Sequence, residues 1–200
     1  MEITNIKQAA DRIRALREDL GLSMQEMATA TGRTLAEYAA QESGETDLSF
    51  TFLHKCAKEL GVDVVELLTG ETPHLTGCSL VRKSEGLSIQ RKGSFEYLHK
   101  APNLRHRLAE PFLVTQPYEE EEQDKPIHLS YHEGQELDYI ISGRMRFAYE
   151  DGGDIAIEEL GPGDLLMYDS GKGHGMIAIE GEPVVFLAIV MKPEGNAGII

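Results

Sequence analysis

Two different periodicities divide this chain. From Ile6 to about Leu68 the apolar positions recur at helical spacing, and beyond about residue 78 they alternate in short runs cut by glycine. Ile6, Ala9, Ala10, Ile13, Leu16 and Leu20 form one helical stripe that Gly21 terminates. Ser23-Met24-Gln25-Glu26 has the form of a capping box, in which the serine takes the N3 amide and the glutamate reaches back to the cap amide. The same form recurs at Thr34-Leu35-Ala36-Glu37 and at Asp63-Val64-Val65-Glu66. Ser49 is a fitting cap for a helix carrying Leu53, Cys56, Ala57 and Leu60. The pattern therefore predicts five short helices.

The second pattern predicts strands at 79–83, 87–92, 94–99, 111–116, 126–131, 136–142, 144–150, 154–159, 163–168, 174–179 and 184–191. Gly143, Asp151-Gly152-Gly153, Gly161-Pro162-Gly163 and Gly171-Lys172-Gly173 supply the turns between them. Many short strands at this spacing indicate an antiparallel β-barrel or jelly roll. The expected organisation is α+β and multidomain: a helical head over 1–69, a linker over 70–78 and a β-barrel over 79–200. Residues 117–126, with Glu119 to Glu122, read as a solvated loop.

Composition changes this picture in one respect. The chain carries a formal charge of −15, and residues 1–70 hold seven Lys/Arg against twelve Asp/Glu, leaving −5 on the head. A nucleic-acid partner then depends on a local basic patch rather than on bulk charge. The longest apolar run, Val184 to Met191, is too short to cross a bilayer. No charged-then-apolar leader is present, and Cys56 and Cys78 lack metal or redox spacing. These features lead us to expect a cytoplasmic protein with no membrane partner.

In the head, Arg12-Ile13-Arg14-Ala15-Leu16-Arg17, Gly21-Leu22-Ser23, Met27-Ala28, Thr31-Gly32, Glu42-Ser43-Gly44-Glu45 and Ala57-Lys58-Glu59-Leu60-Gly61-Val62 occur in a characteristic order. Through them residues 10–68 resemble the Cro-like, xenobiotic-response-element type of helix-turn-helix. The resemblance implies that the helix after Gly32 enters the major groove, with Thr34, Leu35 and Ala36 facing base edges. Arg14, Arg17, Gln25 and Arg33 are the expected phosphate contacts. The reading helix departs from the pattern by offering Leu35, Ala36, Glu37, Ala39 and Ala40 rather than forked polar groups.

In the barrel, Ser130-Tyr131-His132-Glu133-Gly134-Gln135-Glu136, followed by Gly143, resembles the first cupin motif with serine in place of its first histidine. Gly163-Asp164 and Asp169-Ser170-Gly171-Lys172-Gly173-His174 resemble the second. A hairpin over 133–135 sets His132 opposite Glu136 on adjacent strands, and His174 joins them from a third. Two imidazoles and one carboxylate with open positions suit Fe(II), and Zn, Mn and Ni accept the same donors. His128 lies on the same face as Ser130, a full strand repeat away, and joins only with a register shift. The alternative is a metal-free barrel that binds an organic ligand by hydrogen bonds. For an effector cavity the candidate polar groups are Tyr97, Ser130, Asp138, Tyr139 and Tyr149. Leu137, Ile141, Phe112, Tyr131, Phe147 and Met167 are candidates for its wall. His54, His74, His99 and His106 read as surface or internally satisfied residues.

The whole layout resembles regulators that join a helix-turn-helix head to a cupin sensor. That resemblance implies a homodimer on a DNA operator, controlled by a small-molecule effector. A second resemblance is to hydroxypropylphosphonate epoxidase-like enzymes, which share the layout, the missing first histidine and a His-x-x-x-Glu plus His iron site. It implies a mononuclear non-haem metal enzyme with a vestigial head. Gly21 and Leu129 stand where those enzymes carry a phosphonate-binding lysine and a ligand-binding asparagine. Losing both leaves a phosphonate dianion poorly paired. The regulator is therefore the first expectation, without catalytic residues, and the enzyme the second.

Overall fold

A computed structural model describes residues 6–90 and 95–191. The chain forms two compact units. The first takes residues up to 90 together with Ala101–His106, and the second takes 95–100 and the chain from Arg107 onward. Residues 79–90, grouped with the barrel in the sequence reading, thus cluster with the helical unit.

Five helices build the first unit: α1 (Ile6–Asp19), α2 (Met24–Thr31), α3 (Leu35–Glu42), α4 (Phe50–Leu60) and α5 (Val64–Thr69). The boxes at Ser23 and Thr34 form in both directions, and Ser49 caps α4 by accepting from Phe52 N. Asp63 caps α5 without a reciprocal bond, because Glu66 accepts from the Thr72 hydroxyl instead. Gly32 closes α2 in the left-handed region at φ 68, where a Cβ would be strained. The core joins Ile13, Met27, Tyr38, Phe52, Leu53 and Leu67. The stripe of α1 departs from expectation at its end: Arg17 is buried and Leu20 is exposed. Arg17 follows Ile13 by one helical turn, so it stays on the inner face. Residues 79–83 form no strand. Glu85 N donates to Arg82 O at 3.0 Å and closes a turn there, with Leu80 exposed.

Nine strands are assigned among the described residues: β1 (Leu87–Gln90), β2 (Glu96–His99), β3 (Ala109–Gln116), β4 (Gln135–Ser142), β5 (Arg144–Asp151), β6 (Asp154–Leu160), β7 (Leu165–Asp169), β8 (His174–Ile179) and β9 (Val184–Met191). The strand ends expected at 91–92 and at 94 lie outside the described residues. In the second unit the main sheet runs β2-β3-β9-β4-β7, and a smaller antiparallel sheet runs β6-β5-β8. Period-2 alternation fixes which side chains enter the core. In the main sheet these include Phe112 and Val114 on β3, Glu136, Asp138 and Ile140 on β4, and Phe186 and Ala188 on β9. Met145 and Phe147 on β5 face them from the small sheet.

The strand expected over 126–131 is reduced to one bridge, between Ser130 and His174. The chain there crosses the outer side of β8, and a Cβ at Gly175 would lie 2.2 Å from the His128 carbonyl oxygen. Only glycine allows that approach.

Candidate functional site

Glu136 is buried on the inner face of β4, between the Cα positions of Tyr168 on β7 and Val190 on β9. His174 opens β8 and is flanked in register by Tyr149 on β5 and by Ser130. His132 reaches the same point from an irregular segment rather than from a hairpin strand. Its amide donates to Ser170 O at 2.8 Å, and Ser170 N donates to Gly134 O at 3.2 Å. The chain is thus pinned to the turn before β8, and Gly134 at φ 109 bends it back into β4.

The three side chains meet. His132 Nε2 and Glu136 Oε2 are 2.8 Å apart, and the rings of His132 and His174 lie 4.9 Å apart at nearly right angles. One ligand atom from each of His132, Glu136 and His174 falls within 4.8 Å of the others. Ligand atoms bound cis on one ion at about 2.1 Å stand about 3 Å apart, so this donor set would fit a divalent metal once its side chains close inward by up to about 2 Å. His174 Nδ1 is 2.9 Å from Lys172 O. A carbonyl only accepts, so Nδ1 carries the hydrogen and Nε2 keeps its lone pair for a ligand. Burial lowers the His174 pKa and favours that neutral ring. At His132 a metal would have to replace the hydrogen bond to Glu136 Oε2.

Beneath the triad lies a second acidic layer. Asp138 is fully buried, and Tyr168 donates to its Oδ2 at 3.2 Å, while Oδ1 has no hydrogen-bond partner. Burial first, and then the Glu136 charge, push the Asp138 carboxyl well above the usual carboxylate range. The Tyr168 ring stands 4.9 Å from both His174 and Phe147. The sequence reading missed Tyr168, because its place beside Glu136 follows only from the β4–β7 register.

The other expected effector residues divide. Tyr149 lies on the inner face beside His174 and stacks on Phe147 at 5.8 Å. Tyr97 is half-buried, with its ring 6.1 Å from Phe112. Ser130 is exposed and meets His174 through the backbone, its N donating at 2.7 Å. Tyr139 faces outward, as do Ile141 and Met167, because alternation from Glu136 sends odd positions of β4 out of the core. Tyr131 is also exposed, and its hydroxyl donates to Glu150 at 3.0 Å. His128 is exposed and stands apart from the triad, whereas His99 is buried against Glu110 at 2.6 Å.

On the head, Thr34, Leu35 and Ala36 form the exposed start of α3. Glu37 is drawn back onto Thr34 by bonds of 2.8 Å from both its amide and its hydroxyl. Gln25 is exposed on the first turn of α2, and Arg33 is half-exposed beside the turn. Arg14 is exposed and paired to Asp11 at 2.9 Å. Arg17, expected on the phosphate side, is instead buried. Its Nε donates to Glu42 Oε1 at 2.6 Å and its Nη2 to Oε2 at 3.0 Å. Nη1 donates to Leu22 O at 3.0 Å, and the Tyr38 hydroxyl donates to Glu42 at 2.8 Å. This fork fastens α1 to α3 and leaves Arg17 unable to reach a phosphate. The sequence carried a signal for it, since Arg17 lies on the stripe of Ile13.

Comparison with known proteins agrees with both units. The family model described as a helix-turn-helix matches residues 13–67, and that described as a cupin domain matches 116–190. The chain therefore carries a helix-turn-helix domain followed by a cupin domain. Among solved structures, an HTH_3 family transcriptional regulator from Vibrio cholerae is similar over 94% of this chain and 97% of its own, at 23% identity and a TM-score of 0.62. The iron(II) form of HppE is similar over 92% of this chain and 98% of its own, at 19% identity and a TM-score of 0.50. At these identities the likeness shows the fold. No curated protein matches the chain. Among the described residues, no helix is long and apolar enough to cross a membrane.

Proposed function

We propose that this chain is a cytoplasmic DNA-binding transcriptional regulator whose cupin barrel senses a small-molecule effector and holds a divalent metal at His132, Glu136 and His174. The observation that carries this reading is the joining, in one chain, of a capped α2–Gly32–α3 reader with a barrel whose donor side chains converge. Thr34, Leu35 and Ala36 take the base edges, and Arg33, Gln25 and Arg14 take the phosphates. Asp11 competes for Arg14, which makes Arg33 the leading cation of the surface. In the barrel, Asp138, Tyr149 and Tyr97 orient the effector. Ser130 lies at the exposed edge of this set, and Tyr139 on the outer face takes no part. A bound Fe, Zn, Mn or Ni ion supplies open coordination positions for an effector's donor atoms. Transmission requires that the effector bind the DNA-competent and incompetent states with different affinity.

The test joins metal analysis of the purified protein with a gel shift against its own upstream region. A shifted band is expected, and Arg33→Ala should weaken it and reduce the salt slope by about one. His132→Ala should abolish metal uptake; unchanged metal content would remove the triad from the proposal. Stoichiometric iron with no shift at low salt would favour the second reading, a mononuclear non-haem metal enzyme. That reading draws on the same His132, Glu136 and His174 donors and on the acidic head.

A further inference from the structure

The outward face of α3 offers hydrocarbon and little hydrogen-bonding capacity. Leu35 is 45% exposed, Ala36 is exposed beside it, and Ala39 and Ala40 are half-exposed on the next turn. The polar groups of the segment are spent within it. The Thr34 hydroxyl donates to Glu37 Oε2 at 2.8 Å and accepts from Glu37 N at 3.3 Å, so it has no proton left to give. Glu37 Oε2 also accepts from the Thr34 amide at 2.8 Å, which draws the carboxylate back along the helix. Tyr38, Gln41 and Glu42 are buried, and the Ser43 hydroxyl donates to Ala40 O at 3.0 Å. Neither lysine nor arginine occurs between Leu35 and Glu42.

We propose that α3 selects DNA by thymine methyl groups rather than by base-edge donors and acceptors, with Leu35 setting the preference. The proposal rests on the regulator reading, in which Thr34, Leu35 and Ala36 take the base edges. Guanine is read by the paired donors of Arg or Lys, and adenine by the donor and acceptor of Asn or Gln. The outward face of α3 presents none of these. Thymine C5 carries the one methyl group that a base pair shows in the major groove. Leu35 placed over guanine N7 and O6, or over cytosine N4, strips water from polar atoms and returns no bond. Placed over a thymine methyl, it buries apolar surface on both sides. Glu37 is an acceptor that can meet cytosine N4, but its two bonds to Thr34 hold it back. Ala36, Ala39 and Ala40 are short, so the helix can lie near the groove floor without bringing in a competing donor. Arg33 and Gln25 then supply affinity through phosphates, which carry no sequence information directly.

The experiment is a gel-shift titration of the full chain on its own upstream region, synthesised once with thymidine and once with deoxyuridine. Deoxyuridine keeps the pairing and the phosphates and lacks only the C5-methyl. The deoxyuridine fragment should bind at least about fourfold more weakly, which is the worth of one buried methyl. A random-sequence duplex prepared both ways should bind alike, because its contacts go to phosphates. Leu35→Ala keeps the helix and the Thr34–Glu37 cap, and should hold the two upstream fragments within about twofold of each other. Arg33→Ala should weaken both fragments equally and leave their ratio unchanged. Equal wild-type binding to the two fragments would overturn the methyl reading alone. So would the same difference on the random duplex, a ratio that persists in Leu35→Ala, or one that collapses in Arg33→Ala. A shift on neither fragment would instead overturn the regulator reading, and the methyl reading with it.

Discussion

Replacing Arg17 by methionine separates a structural from a DNA-contacting role for this residue. The substitution keeps most of the buried stem and removes two charge-assisted bonds to Glu42, a longer one to the exposed Glu18 and one bond to Leu22 O. Glu42, also buried, would retain only the Tyr38 hydroxyl. Breaking a buried pair from one side costs about 3–5 kcal/mol, because the remaining charge stays uncompensated. A domain of about 60 residues has roughly 3–9 kcal/mol of stability in total, so the head should come close to unfolding. The expected fall in its melting temperature exceeds about 12 °C. Urea unfolding followed at 222 nm reads this directly, since the helices lie in the first unit. Arg17→Met combined with Glu42→Leu should recover to within about 2 kcal/mol of wild type, because an apolar pair replaces an ionic one. A cost below about 1 kcal/mol for Arg17→Met alone would refute this reasoning. So would a variant of full stability whose DNA binding loses about one unit of salt slope.

Two further expectations concern the barrel. Glu110 is held to a pKa of about 2: burial opposes ionisation, and hydrogen bonds from His99 and Arg107 overcome it. A carboxyl depressed from 4.5 in this way stabilises the fold fully above that value and loses its contribution as pH falls toward 2. The loss should amount to about 3 kcal/mol, visible as a falling urea midpoint for the barrel, and Glu110→Gln should flatten that dependence. Gly143→Ala should cost at least about 2 kcal/mol in the same assay. At φ 75 its Cβ would stand 2.2 Å from Pro183 O, whereas Gly152, at φ 62 with nothing within 4 Å, should lose only about 1 kcal/mol on the same change.

The helical head was the more legible part of the chain. Caps and left-handed glycines are local devices, so Ser23, Thr34, Ser49 and Gly32 announce their helices without tertiary information. Strands are less local. Residues 79–83 and 126–131 have strand composition, yet the first closes a turn and the second spends its backbone pairing Ser130 with His174 and covering Gly175. The triad was legible through the spacing of His132, Glu136 and His174. The hairpin supposed to join its first two members was not formed, because the bonds to Ser170 decide the path of 130–134. Tyr168 was invisible, since strand pairing alone places it beside Glu136.

The misplacement of Tyr139 has a different cause. Assigning Glu136 to an interior metal site already determines the rest of β4, because the side-chain period of a strand is two. Asp138 and Ile140 must then face inward, and Tyr139 and Ile141 outward, whatever their hydrophobicity. An aromatic residue beside a metal motif invites a place in the cavity, but one strand cannot present Glu136 and Tyr139 to the same side without a bulge between them. The irregularity in β4 falls later, between Ile140 and Ser142, too late to rescue Tyr139. The consequence extends beyond one residue. The same parity that makes the interior acidic, with Glu136 above Asp138, makes the exterior apolar, with Leu137, Tyr139 and Ile141 in succession. The buried carboxylates and the apolar outer face are therefore two sides of one strand. A one-residue slip of β4 would destroy both together, by exposing the carboxylates and burying the tyrosine.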